Sequence, residues 1–112
     1  MNPEIKLEPT ETEIQSLVLK FLKAIKVRAW RNNTGSRGGV HYGLCVGSSD
    51  IIGIFHGLFL AIEIKVPGKT PTPEQWDFIN TVISEGGIGF YACSVDEVRH
   101  RLAAEYSKRG LK

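Results

Sequence analysis

The chain has 112 residues, 42% of them hydrophobic, with 14 Lys+Arg against 12 Asp+Glu for a formal net charge of +2. That length suits one compact domain with its own core, and the apolar fraction excludes disorder as the main state. The composition also excludes a membrane span, a secretory signal at Met1-Asn2-Pro3-Glu4 and, with only Cys45 and Cys93, a disulfide framework or thiolate cluster, so a reducing, cytoplasmic setting is the expectation.

In chain order, residues 1–9 read as an acidic, flexible lead-in. Thr10-Glu11-Thr12-Glu13 has capping-box spacing and predicts a helix with Thr10 as N-cap. Ile14, Leu17, Val18, Phe21, Leu22 and Ile25 then recur at helical spacing as its apolar stripe. Val27–Asn32 predicts a short strand. From Ile14 to Ser49 there is no Asp or Glu, while Lys20, Lys23, Lys26, Arg28, Arg31 and Arg37 all fall there, a one-sign stretch that suits a polyanionic partner or a solvated face. Residues 33–49 hold five glycines and read as a flexible surface loop. Asp50–Phe55 and Leu58–Val66 predict two strands joined at His56-Gly57 as an antiparallel hairpin. Thr72-Pro73-Glu74-Gln75 opens a second helix whose buried face is Trp76, Ile79, Val82 and Ile83, and Gly86-Gly87 stops it. Ile88–Cys93 predicts a fourth strand, and Ser94-Val95-Asp96-Glu97 a third capping box starting a last helix that ends near Gly110. The predicted order is α-β-β-β-α-β-α. The crossover helix makes the last two strands parallel, so the sheet is mixed. Trp30 and Trp76 read as core residues.

The chemistry concentrates on Leu60-Ala61-Ile62-Glu63-Ile64-Lys65. Alternation along a strand places Glu63 and Lys65 on one face with Ala61, opposite Ile62, Ile64 and Val66. Charged residues in an apolar central strand need a partner or a task. The hairpin puts Asp50 near Glu63, at one end of adjacent strands. Two carboxylates and a lysine gathered there suit a hard divalent cation held through oxygen and an ammonium facing developing negative charge. The same spacing suits a structural ion pair of Lys65 with Asp50 or Glu63. His41 and Cys45 share a loop, but two ligands do not make a zinc site. Gly35–Gly39 lacks the Lys-Ser/Thr ending of a phosphate-binding P-loop and reads as mobile backbone near Arg31 and Arg37.

Asp50 followed by Glu63-Ile64-Lys65 resembles the PD-(D/E)xK nuclease signature. The surroundings resemble the VRR-NUC (virus-type replication-repair nuclease) branch of that superfamily, in its stand-alone phage form. The matching stretches are Glu11-Thr12-Glu13-Ile14-Gln15, Gly47-Ser48-Ser49-Asp50-Ile51-Ile52-Gly53, Phe59 through Lys69, and Glu74-Gln75. One departure is Ser49, where a proline commonly precedes the aspartate. The resemblance spans about residues 10–106 and implies a single nuclease domain over 10–112, with a restriction-endonuclease-like α/β fold in which a mixed central sheet is flanked by helices.

The resemblance further implies a Mg²⁺- or Mn²⁺-dependent deoxyribonuclease in the host cytoplasm. In it Asp50 and Glu63, with the main-chain carbonyl of Ile64, bind the metal. Lys65 orients the attacking water and stabilises the phosphate, and Gln75 touches the site from its helix N-terminus. Minimal members resemble dimeric Holliday-junction resolvases, which implies a homodimer acting on branched DNA. Of the two first-helix acids, Glu13 is the capping partner of Thr10 and points roughly 110° from the stripe centre, whereas Glu11 lies near it with Gln15 one turn on. Glu11 is therefore the expected additional carboxylate and metal ligand, with Gln15 beside it. Arg31, Arg37 and Lys69 are the expected DNA contacts. A catalytically silent DNA-binding module and a structural subunit are the alternatives from other classes.

Overall fold

The structure is a computed structural model and describes residues 8–112, so most of the expected N-terminal lead-in lies outside the described residues. Its elements are α1 (Glu11–Ala24), β1 (Arg28–Arg31), β2 (Gly35–Arg37), β3 (Val40–Tyr42), β4 (Ile51–Phe55), β5 (Leu58–Ile64), α2 (Pro73–Ser84), β6 (Ile88–Ala92) and α3 (Val95–Arg109). Four strands form a sheet in the order β1-β4-β5-β6, with β5 parallel to β6 and the other neighbours antiparallel. The expected mixed α/β sheet flanked by helices is present. No helix among the described residues is long and apolar enough to cross a membrane.

Local chemistry sets the element ends. Thr10 and Thr72 each accept a hydrogen bond from the backbone N–H three residues on, and the Glu13 and Gln75 side chains accept in return from the cap N–H, closing both expected capping boxes. The third differs. Ser94 accepts from the Glu97 N–H, but the Glu97 carboxylate reaches one residue further back, to the Cys93 N–H at 2.9 Å. The β4–β5 turn is the two-residue His56-Gly57, at φ 50° and 82°, the type I′ geometry whose twist matches the flanking strands.

The two sheet faces are covered unequally. On one, α1 and α3 press Ile14, Val18, Leu22, Val98 and Leu102 against Ile51, Phe55, Leu60, Ile62, Ile64, Ile88, Phe90 and Ala92, and this is the core. On the other, α2 seats on β5 and β6. Gly89 permits the approach, since a Cβ there would lie 3.1 Å from the Ile79 carbonyl oxygen. The β1–β4 half of that face has no helix over it. Trp30 is consequently 55% exposed, and Ile54 and Phe59 are exposed too, which corrects the expectation that Trp30 belongs to the core. Trp76 and Ile83 are also exposed; α2 buries Ile79 and Val82 only, and Trp76 packs edge-on against Tyr91 at 5.5 Å. In α1, Ile14, Val18 and Leu22 carry the buried stripe, while Leu17 and Ile25 are exposed.

The glycine-rich segment is not an unstructured loop. β2 and β3 pair antiparallel across Gly38-Gly39, at φ 55° and 80°, another type I′ turn. A Gly-Gly pair between two short polar strands was the available signal.

Candidate active site

The β4–β5 register pairs Ile51 with Ile62, so Asp50 and Glu63 follow on neighbouring strands. Asp50 is held from two sides: its carbonyl accepts from the Asn32 N–H at 2.7 Å, and its Oδ2 accepts from the Ile64 N–H at 2.8 Å. The loop before it is pinned. The Asn32 amide donates to Ser48 Oγ and to the Ser49 carbonyl, and Gly47, at φ 85°, lies so close to α2 that a Cβ would come within 2.5 Å of the Glu74 carbonyl oxygen.

Glu63 stands in β5 opposite Tyr91 and is 1% exposed. Its carboxyl is pushed up to about 8, first by burial and then by the charge and hydrogen-bond acceptance of Asp50, with a smaller push from Glu11. Lys65 opposes the shift from 3.8 Å away without cancelling it. Glu63 Oε1 and the hydroxyl of buried Ser49, beside Asp50, have no hydrogen-bond partner. Buried polar atoms of that kind are costly and call for an explanation.

Asp50 lines an open cavity of about 780 Å³ with Thr12, Gln15, Arg31, Asn32, Asn33, Thr34, Arg37 and Tyr42. The expected site residues thus divide. Asp50, Gln15, Arg31 and Arg37 share the cavity, and Arg31 donates to Gln15 Oε1 at 3.0 Å and to Ser16 Oγ at 3.1 Å. The β2–β3 hairpin brings Arg37 there. Glu63 and Lys65 stand behind Asp50, off the cavity wall. Glu11 is half-buried and acts on Glu63 through charge, whereas Glu13 closes its capping box. Gln75 is half-buried with its carbonyl oxygen engaged by Thr72, and no hydrogen bond joins it to Asp50, Glu63 or Lys65. Lys69 is exposed on the turn after β5, outside the cavity. The residue missed by sequence reasoning is Asn32, which anchors the Asp50 loop and carries no spacing signal.

Among the described residues no group of three His, Cys, Asp or Glu side chains is gathered closely enough to hold a metal ion. What the geometry offers a hard cation is a carboxylate pair. Two adjacent carboxyls that resist joint ionisation, one with an orphaned oxygen, are a donor set that a divalent ion would satisfy. In comparisons with known proteins, no family model matched the chain, and no similar curated protein or solved structure was found.

Proposed function

We propose that the protein is a Mg²⁺- or Mn²⁺-dependent deoxyribonuclease of the PD-(D/E)xK type that the sequence resembles, with a restriction-endonuclease-like sheet, acting on branched DNA. The observation that carries this reading is the Asp50–Glu63–Lys65 arrangement: a carboxyl pair with one member buried and raised to about 8, an ammonium 3.8 Å from that member, and the other member, Asp50, lining a cavity that bears two arginines.

A phosphodiester is anionic and repels hydroxide, so its hydrolysis needs charge neutralised where the nucleophile arrives. Asp50 and Glu63, with the Ile64 main-chain carbonyl, would hold the ion, and Glu11 adds negative charge behind them. Bound Mg²⁺ or Mn²⁺ supplies a water of lowered pKa and offsets phosphate charge. Lys65 faces the negative charge that builds on the phosphate and orients the attacking water. Arg31 and Arg37 receive the DNA backbone as it enters the cavity, with Gln15 fixing the Arg31 guanidinium. Lys69 meets the phosphates further along, and Gln75 has its amide nitrogen free of hydrogen bonds to offer. A two-fold dimer would present two such sites to the symmetric strands of a junction.

The test is a labelled panel of four-way junction, flap, single-stranded and linear DNAs with Mg²⁺, Mn²⁺ or EDTA. Cleavage should be strongest on the branched forms and vanish in EDTA and in Asp50→Ala. Cutting that survives Asp50→Ala, or none on any substrate, overturns the reading. Light scattering at micromolar concentration tests the dimer, and a strict monomer removes it.

A further inference from the structure

A second groove runs along the outer edge of the sheet. It holds about 730 Å³ and is lined by Leu19, Lys23, Lys26, Arg28, Trp30 and Arg31, together with Val27 and Ala29. β1 is an edge strand, so its outer backbone groups have no strand partner, and no acidic side chain lines the groove. Arg31 lines both this groove and the cavity that contains Asp50, so the two adjoin at that side chain.

Two features are out of place for a merely solvated edge. Trp30 exposes more than half of its surface on the sheet half that no helix covers, where burial would have stabilised the fold. Lys26 occupies the left-handed position that ends α1, at φ 63°, with the Val27 N–H donating to the Leu22 carbonyl and the Lys26 N–H to the Lys23 carbonyl. That helix-ending motif ordinarily takes glycine, because a side chain there is strained. A lysine held at such a position lines the groove with a cation against the preference of the backbone.

We infer that this groove binds an unpaired DNA strand adjoining the cavity, with Trp30 as a base-stacking platform and Lys23, Lys26 and Arg28 on its phosphates. Exposed aromatics interleaved with cations are the means by which proteins hold single strands without reading sequence. An edge strand flanked by cations also suits an acidic extended peptide. The Arg31 wall shared with a cavity that the nuclease reading assigns to a phosphodiester, together with the exposed Trp30 ring, favours the nucleic acid. The inference rests on the nuclease reading for the strand's destination and narrows the substrate to DNA with a splayed or flapped arm beside the scissile bond.

The experiment is fluorescence anisotropy of the full chain in EDTA, comparing a splayed-arm DNA with a blunt duplex of equal length. The wild type should prefer the splayed form about tenfold, Trp30→Ala should erase most of that preference, and Trp30→Phe should keep it. Lys26→Gly should raise the melting temperature while lowering affinity and reducing the salt slope of binding by about one. Trp30→Ala binding as tightly as wild type with unchanged circular dichroism overturns the inference. So does absence of a splayed-arm preference in the wild type, or a Trp30-dependent affinity for polyglutamate in place of DNA. A Trp30-dependent preference in a protein that cuts nothing with Mg²⁺ or Mn²⁺ leaves the groove standing and removes the nuclease; cutting without the preference does the reverse.

Discussion

Two buried glutamates divide the molecule. Glu105, near the C-terminal end of α3, accepts from Arg109 Nε at 2.8 Å with Lys108 at 3.6 Å, and Arg109 also donates to the Gly86 and Gly87 carbonyls, tying α3 to the turn before β6. Its carboxyl is held below the ordinary range, chiefly by the Arg109 hydrogen bond. Glu63 is more deeply buried, has one oxygen without a partner, and is raised to about 8 beside a second carboxylate. Both stand near a lysine, yet one is satisfied by its own chain and the other is not. Glu105 finds its cation within a helical turn, whereas Glu63 has Lys65 at 3.8 Å and a second carboxylate beside it, and one of its oxygens has no hydrogen-bond partner.

The hardest way to break that contrast is Asp50→Ala. It removes the carboxylate beside Glu63, and cleavage of a branched substrate should fall on the order of 10³-fold or more. Urea unfolding of the same variant should show the fold retained. Next comes the structural side. Arg109→Ala leaves Glu105 and two carbonyls short of a donor and should cost about 2–4 kcal/mol in urea unfolding, while cleavage per folded molecule stays at the wild-type level. Equal effects of the two substitutions on cleavage would erase the distinction.

The pH dependence sharpens it, because the two glutamates act with opposite signs. Glu105 has a lowered pKa, so its contribution is full above the ordinary carboxylate range and is lost as pH falls. Glu63 has a raised pKa: the folded state keeps the proton up to about pH 8 while the unfolded chain releases it in the ordinary range. Its contribution is full in acid and is lost as pH rises to about 8. Glu63→Gln should therefore flatten the fall in stability between about pH 4.5 and 8, recovering about 2–4 kcal/mol at pH 8.5 and less than half of that at pH 5.5. Mg²⁺ or Mn²⁺ should raise the wild-type melting temperature more at pH 8.5 than at pH 5.5, since the ion takes the place of the proton, and should not do so in Glu63→Gln.

How far the sequence carried this picture depends on whether a feature is local. The helix starts at Thr10 and Thr72, the turn at His56-Gly57 and the parallel β5–β6 pair follow from spacing and turn chemistry, and the structure has them. The Asp50–Glu63 neighbourhood follows from the hairpin register. What was not legible depends on coverage. Periodicity marks Trp30 and Trp76 as apolar positions, but nothing in a strand's alternation says that α2 reaches only β5 and β6. The β2–β3 hairpin was obscured by its polar strands, and with it the reason Arg37 reaches the cavity.

The smallest expected effect tests the finest distinction, between two acids a fraction of a turn apart. Glu13→Ala opens the α1 capping box and should cost about 0.5–1 kcal/mol in unfolding, with cleavage unchanged. Glu11→Gln removes no hydrogen bond that α1 needs, so the fold should be nearly indifferent to it. It does remove one of the charges that hold the Glu63 carboxyl up, and the alkaline loss of stability should move to slightly lower pH. If Glu11 also helps to hold the ion, Glu11→Gln should weaken the Mg²⁺- or Mn²⁺-induced rise in melting temperature as well. Thermal shifts across pH 5.5–8.5, with and without metal, separate the two acids: one variant changes stability without touching the linkage, and the other changes the linkage with almost no change in stability. Matching profiles for both would mean that α1 contributes a helix cap and nothing to the carboxylate pair.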